Sequence, residues 1–352
     1  MSSTQHDRYK CGPLEILVAA ETETLRRKIA DTLDLYNVEW AEPLTQWQIE
    51  IGESDSVSPL GAGEYLQCAR MHVELTGNQL LATCPSGAQA MCDPHTRRWT
   101  MLVPRASNDP WVLTDIESLL SLVLTEGWRA EGWIPLHAAA VVRHDTCALI
   151  CAESGGGKTS LTAALVREGW QTLGDDKLLL RIGADGAPEL RGLVHTFNLH
   201  PRTRSWFPEV GDLDRLPVYS DWTEKRKVHP ETIWPGSTTS EALPRALFHL
   251  SGRSRNGEGS SRNSPPVSDP FNPFDPFSVV PLSAASVLSI LLHQTVVPSH
   301  APTARPILAT IARTARNLTG FRVDIAEDAY MNSECLSPLE TALTSALTTT
   351  EA

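Results

Sequence analysis

A short segment near the middle of the chain carries the residue types that phosphate chemistry requires. It reads CALICAESGGGKTSLTAALVREGWQTLGDDKLLL and covers residues 147–180. Glycines without a Cβ let the backbone approach an anion closely, and the N-terminus of a following helix attracts negative charge. The pattern therefore predicts a phosphate-binding loop, or P-loop. The residues expected to contact the phosphates are Ser154, Gly155, Gly156, Gly157, Lys158, Thr159 and Ser160.

The lysine and the threonine of this loop indicate a nucleotide and its metal ion. In a P-loop the lysine reaches the β- and γ-phosphates and the next hydroxyl ligates Mg²⁺, so Lys158 and Thr159 predict ATP and Mg²⁺ as ligands. Ala152 occupies the position where the pattern has its first glycine. That position mainly serves the turn out of the strand, which alanine tolerates at negative φ. A glycine-rich turn that opens a helix by chance is the alternative, and the apolar stretch before the loop argues against it.

Two adjacent carboxylates follow the loop at short range. Asp175 and Asp176 lie 17 and 18 positions after Lys158, which leaves room for one helix and one short strand back to the phosphates. In phosphoryl transfer one acidic group can stand beside the metal while another accepts the proton of the attacking hydroxyl. We expect Asp175 to be the base and Asp176 to ligate the metal, but adjacent carboxyls titrate as a pair, so the sequence leaves open which of the two is the base. A solvated Gly-Asp-Asp turn is the alternative.

The apolar pattern around the loop predicts the order strand, loop, helix, strand. TCALICA is typical of a buried strand, SLTAALVREGW of a helix, and QTLGDD and KLLLRI of further strands. Later segments predict the helices SAASVLSILLHQ, RPILATIARTARNL and PLETALTSALT, with the strand GFRVDIA among them. The predicted fold class is α/β (α+β) with a P-loop core.

The first third of the chain follows a different pattern. Short β-like runs (LEILVAA, WQIEIG, HVELTG, LLATCP and WTMLVP) alternate with turn residues, and ETETLRRKIADTLDLY and WVLTDIESLLSLVLTEGW predict two helices. We therefore predict a β-rich accessory domain over 1–130, a P-loop domain over 131–328 and a helical tail over 329–352. Residues 251–277 predict a flexible insertion because they are rich in Gly, Ser, Arg and Pro, with a surface docking segment as the alternative for the part PFNPFDPF.

Composition limits the partners and the location of the protein. A net charge of −12 over 352 residues argues against general binding to nucleic acid or to an anionic membrane. Seven irregularly spaced cysteines without a CxxC pair indicate reduced structural thiols. The N-terminus lacks the pattern of a signal peptide, and no apolar run approaches the length that crosses a bilayer. We expect a cytoplasmic protein, and the sequence leaves open whether it forms a homo-oligomer.

Four features in a fixed order resemble HPr kinase/phosphorylase and the related kinases with a phosphoenolpyruvate-carboxykinase-like fold. LHAAAVV places His137 before the P-loop strand, ESGGGKTSL resembles the loop of the family, REGWQTLGDD resembles its acidic segment, and PELRGL carries Glu189 and Arg191. The resemblance is clear over residues 133–200, extends to about residue 325 and does not cover the first third. LHAAAV and EGWQTL are more similar to the HPr-kinase-related peptide and small-molecule kinases than to HPr kinase itself.

The resemblance implies roles for residues that the loop alone does not assign. His137 would orient or pair with the base, and Glu189 would be a further metal ligand. The arginine-rich C-terminal loop that docks HPr in the family has no evident counterpart, which argues against HPr as the acceptor and against phosphorolysis. The basic run EKRKVHP could bring Lys225, Arg226 or Lys227 to the acceptor or the phosphates, with a solvated turn as the alternative.

Together these features predict a kinase that transfers the γ-phosphoryl group of ATP to a hydroxyl group. The expected acceptor is a serine or threonine of a peptide or small protein. The alternatives are a kinase of a free small-molecule alcohol, such as an amino acid or a sugar, and a nucleotide-binding sensor without catalysis. The predicted catalytic residues are His137, Lys158, Asp175 and Asp176, and the predicted metal ligands are Thr159, Asp176 and Glu189.

Overall fold

The chain divides into two compact units, Met1–Ile134 and Pro135–Ala352, and each is described here by itself. The computed structural model describes residues 6–55, 71–76, 79–93, 96–105, 110–219, 223–251, 277–297 and 301–350. The predicted insertion over 251–277 lies outside the described residues except for its two end positions. No helix in the described ranges is both long and apolar enough to span a membrane.

The first unit is one mixed sheet with two helices. Its strands stand in the order β1-β2-β3-β7-β6-β5-β4; β2, β3 and β7 run parallel to one another, and the outer strands pair antiparallel. The elements are β1 (Asp7–Cys11), β2 (Leu14–Ala20), α1 (Glu23–Leu33), a 3-10 turn (Asp34–Tyr36), β3 (Thr45–Ser54), β4 (His72–Thr76), β5 (Gln79–Thr83), β6 (Gln89–Asp93), β7 (Arg98–Pro104) and α2 (Pro110–Ala130).

The sequence pattern explains most of these elements. Helix α1 buries Leu25, Ile29 and Leu33 at helical spacing, and the Thr22 side chain caps its N-terminus by accepting from the Leu25 N–H. The five predicted strands and both predicted helices are confirmed. Strands β1 and β6 escaped prediction because each is only five residues long and carries charged or small residues, so its pairing depends on its neighbours in the sheet.

The second unit contains the predicted strand-loop-helix segment. Its strands and α-helices are β8 (Ile134–Leu136), β9 (Ala139–Arg143), β10 (Thr146–Cys151), α3 (Lys158–Arg167), β11 (Gln171–Gly174), β12 (Leu178–Ile182), β13 (Pro188–Gly192), β14 (Phe197–Leu199), β15 (Arg226–Val228), α4 (Pro230–Ile233), β16 (Glu241–Ala242), β17 (Pro244–Leu250), β18 (Phe277–Leu282), α5 (Ala284–His293), α6 (Ala301–Arg316), β19 (Thr319–Ile325) and α7 (Ser337–Thr350). Short 3-10 helices cover Pro201–Thr203, Pro208–Val210, Leu213–Arg215, Glu327–Met331 and Ser333–Leu336.

Three sheets build this unit within the described residues. The largest has the order β11-β9-β10-β17-β19-β18, and its strands β10, β17 and β19 are parallel, so their carboxyl ends meet at one edge. All six residues of β10 are buried, as expected for a central strand covered on both faces. A second sheet has the order β16-β13-β12-β8, and β14 and β15 form a separate antiparallel ribbon. These findings agree with the predicted α/β class.

One apolar core joins the P-loop helix to the rest of the unit. Leu161 and Leu165 of α3 are buried with Phe197 of the ribbon and Phe248 of β17. The predicted C-terminal helical segment also contributes to this core, since Leu339 of α7 is fully buried there. Helix α3, which follows the glycine-rich loop, is therefore packed against several elements of the unit.

Close backbone contact holds β11 against β13 and so fixes the position of the acidic segment. A Cβ added to Gly192 would overlap the carbonyl oxygen of Leu173. Because that oxygen belongs to the backbone, no change of side-chain rotamer could remove the overlap. Gly174 is similarly confined, because its Cβ would lie 3.1 Å from the Val194 carbonyl oxygen. Glycine at position 192 is therefore required for β11 to end where it does.

We expect Gly192→Ala to lower the free energy of unfolding by about 3 kcal/mol or more, because the added methyl meets immovable backbone. Urea unfolding followed by tryptophan fluorescence measures this. Gly52→Ala is the matched control, since a Cβ there would meet only the end of the Glu21 side chain, at 3.2 Å. Equal losses in the two variants would contradict the argument.

Candidate active site

The glycine-rich loop follows β10 directly, and the backbone geometry favours glycine at each of its three glycine positions. Gly155 and Gly157 have φ values of 76° and 92°, which residues with a Cβ rarely adopt. A Cβ on Gly156 would lie 2.9 Å from the Ala152 Cβ and 3.0 Å from the Glu153 carbonyl oxygen. Helix α3 begins immediately afterwards, so the loop ends in free backbone N–H groups at a helix N-terminus, the arrangement that binds phosphate.

Lys158 points back across the loop. Its side chain is buried, and its Nζ lies 3.3 Å from the Ala152 carbonyl oxygen and 3.2 Å from Nε2 of His137. Burial lowers the pKa of Lys158, the nearby positive charge of Lys225 adds to this, and the carboxylates of Asp176 and Asp175 oppose it. The ammonium can therefore exchange these two contacts for hydrogen bonds to an anion, which would also neutralise its charge.

The acidic pair lies on a tight turn at the end of β11. The Asp175 N–H donates to the Val194 carbonyl oxygen at 3.1 Å, and the Lys177 N–H donates to the Asp175 carbonyl oxygen at 2.9 Å. Asp176 has a φ of 72°, a conformation that aspartate tolerates better than most residues. This left-handed residue turns the chain so that the two neighbouring carboxylates point to different partners.

Asp175 is directed toward the first turn of α3. The Thr159 hydroxyl donates to Asp175 Oδ2 at 2.7 Å, and Asp175 is only 1% exposed. Its Oδ1 has no hydrogen-bond partner among the residues that the structure describes. Burial, followed by the negative charge of Asp176, raises the pKa of Asp175 from 3.8 to about 7, although the Thr159 hydroxyl and the cations of Lys158 and Lys225 act in the other direction.

Asp176 is directed toward His137 instead. Its Oδ1 lies 2.8 Å from His137 Nε2, and the two side chains are 45% and 47% exposed, so solutes can reach them. Burial acts to raise the pKa of Asp176, but the hydrogen bond and charge of His137, with the charges of Lys158 and Lys177, outweigh it, and the pKa is lowered. This carboxylate therefore stays ionised near neutral pH.

His137 Nε2 stands between two partners that it cannot satisfy together. A single ring nitrogen either donates its proton to Asp176 or, when it carries none, accepts from Lys158. The two contacts, at 2.8 Å and 3.2 Å, compete for this one atom. The backbone N–H of His137 donates to the Gln294 carbonyl oxygen at 2.8 Å, and this bond holds His137 beside the loop.

Glu189, the third predicted metal ligand, lies on β13 and accepts from Arg181 Nε at 2.8 Å across the β12–β13 hairpin. Arg191, the other residue of that motif, pairs with Glu241. Ser154 is exposed in the loop and Ser160 is half-buried on α3.

Tyr330 reaches the glycine-rich loop, which no pattern in the sequence predicts. A Cβ on Gly157 would lie 2.9 Å from the Tyr330 hydroxyl oxygen. The Tyr330 ring stacks on Trp206 with centroids 4.8 Å apart, and Arg167 donates to the carbonyl oxygens of both residues. Tyr330 and Gly157 are more than 150 positions apart in the chain, so no local sequence pattern predicts their contact. Lys225, by contrast, lies in a run of basic residues that the sequence analysis singled out.

Comparison with known proteins adds little to this geometry. No protein-family model matches the chain, and no curated protein matches it. Among solved structures, Hpr(Ser) kinase/phosphatase from Coxiella burnetii is similar at 11% sequence identity, with a TM-score of 0.31, over 62% of this chain and 99% of that chain. A likeness of this size supports no conclusion about activity, which depends on the site itself.

The buried carboxyl of Asp175 predicts a pH-dependent stability for the metal-free protein. Its raised pKa means that between about pH 4 and pH 7 the folded state holds a proton that the unfolded state has lost. The free energy of unfolding should therefore fall as the pH rises through this window, by at most about 1.4 kcal/mol per pH unit from this group. Asp175→Asn should remove that fall, as measured by urea unfolding in EDTA at pH 5 and pH 8.

The exposed Asp31→Asn serves as the control, because Asp31 lies on the solvent side of α1. The stability of Asp175→Asn relative to the parent should be greater at pH 8 than at pH 5, and that of Asp31→Asn should not change in this way. A difference between Asp175→Asn and the parent that is the same at both pH values would show that this carboxyl does not hold a proton in the native state.

Proposed function

We propose that the chain is an ATP- and Mg²⁺-dependent kinase that transfers the γ-phosphoryl group to a serine or threonine hydroxyl of a peptide or small protein. One observation carries the proposal. The two chemically active side chains of the loop, Lys158 and Thr159, are each in direct contact with the group formed by His137, Asp175 and Asp176. A nucleotide-binding sensor needs the loop but has no use for an exposed carboxylate–histidine pair beside it.

The phosphates would be held by the loop backbone and by Lys158. The N–H groups at the start of α3 face the anion, and the ammonium would exchange its contacts with Ala152 and His137 for phosphate oxygens. Positive charge at this position neutralises the negative charge of the transferring group, which accounts for most of the rate enhancement in phosphoryl transfer.

Thr159 and Asp175 fit a magnesium site. Their oxygens lie 2.7 Å apart, and Asp175 Oδ1 has no hydrogen-bond partner in the described part of the chain, so hard oxygen ligands are available to a cation. Mg²⁺ at a nucleotide needs only one or two protein oxygens, so the lack of larger ligand clusters in the described residues is compatible with it. When bound, the ion would neutralise phosphate charge. This assignment exchanges the roles that the sequence suggested for the two aspartates and omits Glu189.

Asp176 would then act as the base. The acceptor oxygen forms a bond to the γ-phosphorus while the bond from that phosphorus to the β,γ-bridging oxygen breaks, and ADP leaves with the electron pair. The proton of the hydroxyl passes to the Asp176 carboxylate. His137 orients this carboxylate through its 2.8 Å hydrogen bond.

The exposure of the reacting groups supports a polypeptide acceptor. Asp176 and His137 are nearly half exposed, so a hydroxyl on a large molecule can reach them. Sites for small metabolites usually enclose most of the ligand surface in a concave pocket. A serine or threonine side chain on an extended peptide needs no such enclosure, which favours this acceptor over a free amino acid or sugar.

Asp176→Asn should lower kcat for label transfer from [γ-³²P]ATP to an accepted Ser/Thr peptide by about 10²- to 10⁴-fold, because the amide cannot take the proton. The dissociation constant for ATP should change little. A Ser/Thr peptide library with Mg²⁺-ATP supplies the acceptor. Glu153→Gln is the control, because it removes one carboxylate charge at an exposed position of the glycine-rich loop. Undiminished transfer by Asp176→Asn would exclude the assigned base, and binding of ATP without transfer to any peptide would favour the sensor function.

Asp175→Asn should separate the metal role from the base role. We expect it to weaken the dependence of nucleotide affinity on Mg²⁺, whereas Asp176→Asn should leave that dependence intact. Titration of fluorescent ATP analogue with and without Mg²⁺ measures the difference. If Asp176→Asn, and not Asp175→Asn, abolishes the effect of Mg²⁺ on nucleotide affinity, then Asp176 is the metal ligand, as the sequence suggested, and the assignment of Asp175 to the metal is wrong.

A further inference from the structure

The last glycine of the glycine-rich loop is the one that residues from elsewhere in the chain contact. A Cβ built on Gly155 would meet no described atom within 4 Å, and the atoms nearest to one on Gly156 belong to the beginning of the same loop. A Cβ on Gly157 would lie 2.9 Å from the Tyr330 hydroxyl oxygen and 3.8 Å from Leu250 Cδ1. Gly157 is therefore the point at which the surrounding fold can control the conformation of the loop.

Gly157 needs such control because glycine has more backbone freedom than any other residue. It has a φ of 92° and stands directly before Lys158, the first residue of α3. Its conformation sets the direction of the backbone N–H groups at the helix N-terminus, which bind phosphate in loops of this kind. A loop that already has its binding conformation loses less conformational entropy when the anion arrives, and so binds it more tightly.

The Tyr330 hydroxyl fills the space next to Gly157 where another residue would carry its side chain. Tyr330 is only 5% exposed and belongs to the apolar core around α3. A phenylalanine ring in its place would leave an opening of the size of the missing oxygen against the backbone of Gly157. The glycine can then reach φ values that the hydroxyl now blocks.

Two residues fix the Tyr330 ring and with it the position of the hydroxyl. The ring stacks on Trp206, with centroids 4.8 Å apart and planes inclined by 24°. Arg167, the last residue of α3, donates to the carbonyl oxygen of Trp206 at 2.8 Å and to that of Tyr330 at 2.6 Å. Its guanidinium carbon also lies 5.7 Å from the centroid of the Phe207 ring. The helix that begins at Lys158 therefore holds, from its other end, the aromatic pair that supports its first turn.

We propose that Tyr330 is a positioning residue for nucleotide binding: its hydroxyl, held by the stack on Trp206, keeps Gly157 in the conformation that binds phosphate. The inference rests on the nucleotide binding in the proposed function. Proton transfer depends on another pair, His137 and Asp176, whose contact does not involve Tyr330. The effect of Tyr330 therefore falls on the affinity for nucleotide and not on the rate of transfer from bound nucleotide.

Tyr330→Phe removes only the hydroxyl group and tests the proposal directly. We expect the dissociation constants for Mg²⁺-ATP and Mg²⁺-ADP to rise by about 3- to 10-fold, by the same factor for both, because the loop contacts phosphates that both carry. In the peptide phosphorylation assay KM for ATP should rise in parallel at nearly constant kcat, the pattern of a lost contact that serves ground state and transition state equally.

Tyr36→Phe is the matched control. Tyr36 lies in the first unit, is 7% exposed and also packs against a tryptophan, Trp128, with ring centroids 5.5 Å apart. Loss of its hydroxyl should leave both dissociation constants and KM for ATP unchanged.

Variants of Trp206 test whether the stack holds the hydroxyl in place. Trp206→Ala should weaken nucleotide binding as Tyr330→Phe does, and Trp206→Phe, which keeps an aromatic face against Tyr330, should restore most of the affinity. The double variant Trp206→Ala/Tyr330→Phe should bind no more weakly than the weaker single variant, because both changes remove the same contact. Losses that multiply in the double variant would contradict the role of the stack.

The Tm measured without nucleotide separates positioning from a structural role. A lowered Tm with unchanged nucleotide affinity in Tyr330→Phe would show a structural role and overturn the inference. Unchanged affinity at unchanged Tm would also refute it, and either result leaves the kinase function standing. A parent chain that binds neither nucleotide would refute the proposed function and the inference with it. Weakened nucleotide binding in Tyr330→Phe, without phosphorylation of any peptide by the parent, would support the inference and favour the sensor function over the kinase.

Discussion

The candidate site depends on a single left-handed residue. The carboxylates of Asp175 and Asp176 would repel each other if both pointed to the same partners. The φ of 72° at Asp176 turns the backbone so that the two side chains point in different directions. One is buried against the first turn of α3 and the other is half exposed beside His137. Their opposite pKa shifts follow from this separation, because one environment lacks water and the other supplies a hydrogen-bond donor and positive charge.

The rest of the second unit maintains this turn. Parallel strands bring the loop to the carboxyl edge of the sheet, and the close approach of β11 and β13 at Gly192 determines where the acidic segment emerges. The bond from Asp175 to Val194 then links the turn to the ribbon. The glycine-rich loop and the acidic turn are therefore parts of one scaffold.

Sequence patterns predicted the elements of this scaffold well where the signal was local. The strand, loop and helix around Lys158 follow from apolar periodicity and glycine spacing, and the structure contains all three. The division of labour between Asp175 and Asp176 could not be predicted, because it depends on one backbone dihedral angle. Glu189 was assigned by its motif, whereas its position depends on the register of the β12–β13 hairpin. The approach of Tyr330 to Gly157 depends on folding of the whole unit.

The position of Lys158 against His137 has a consequence for the order of events. The ammonium lies 3.2 Å from the His137 ring nitrogen that also contacts Asp176. Anionic phosphates that draw the lysine away release this nitrogen to donate to the carboxylate alone. In the proposed kinase, arrival of the phosphoryl donor would thereby complete the histidine–carboxylate pair, so the donor would have to bind before the acceptor hydroxyl could react.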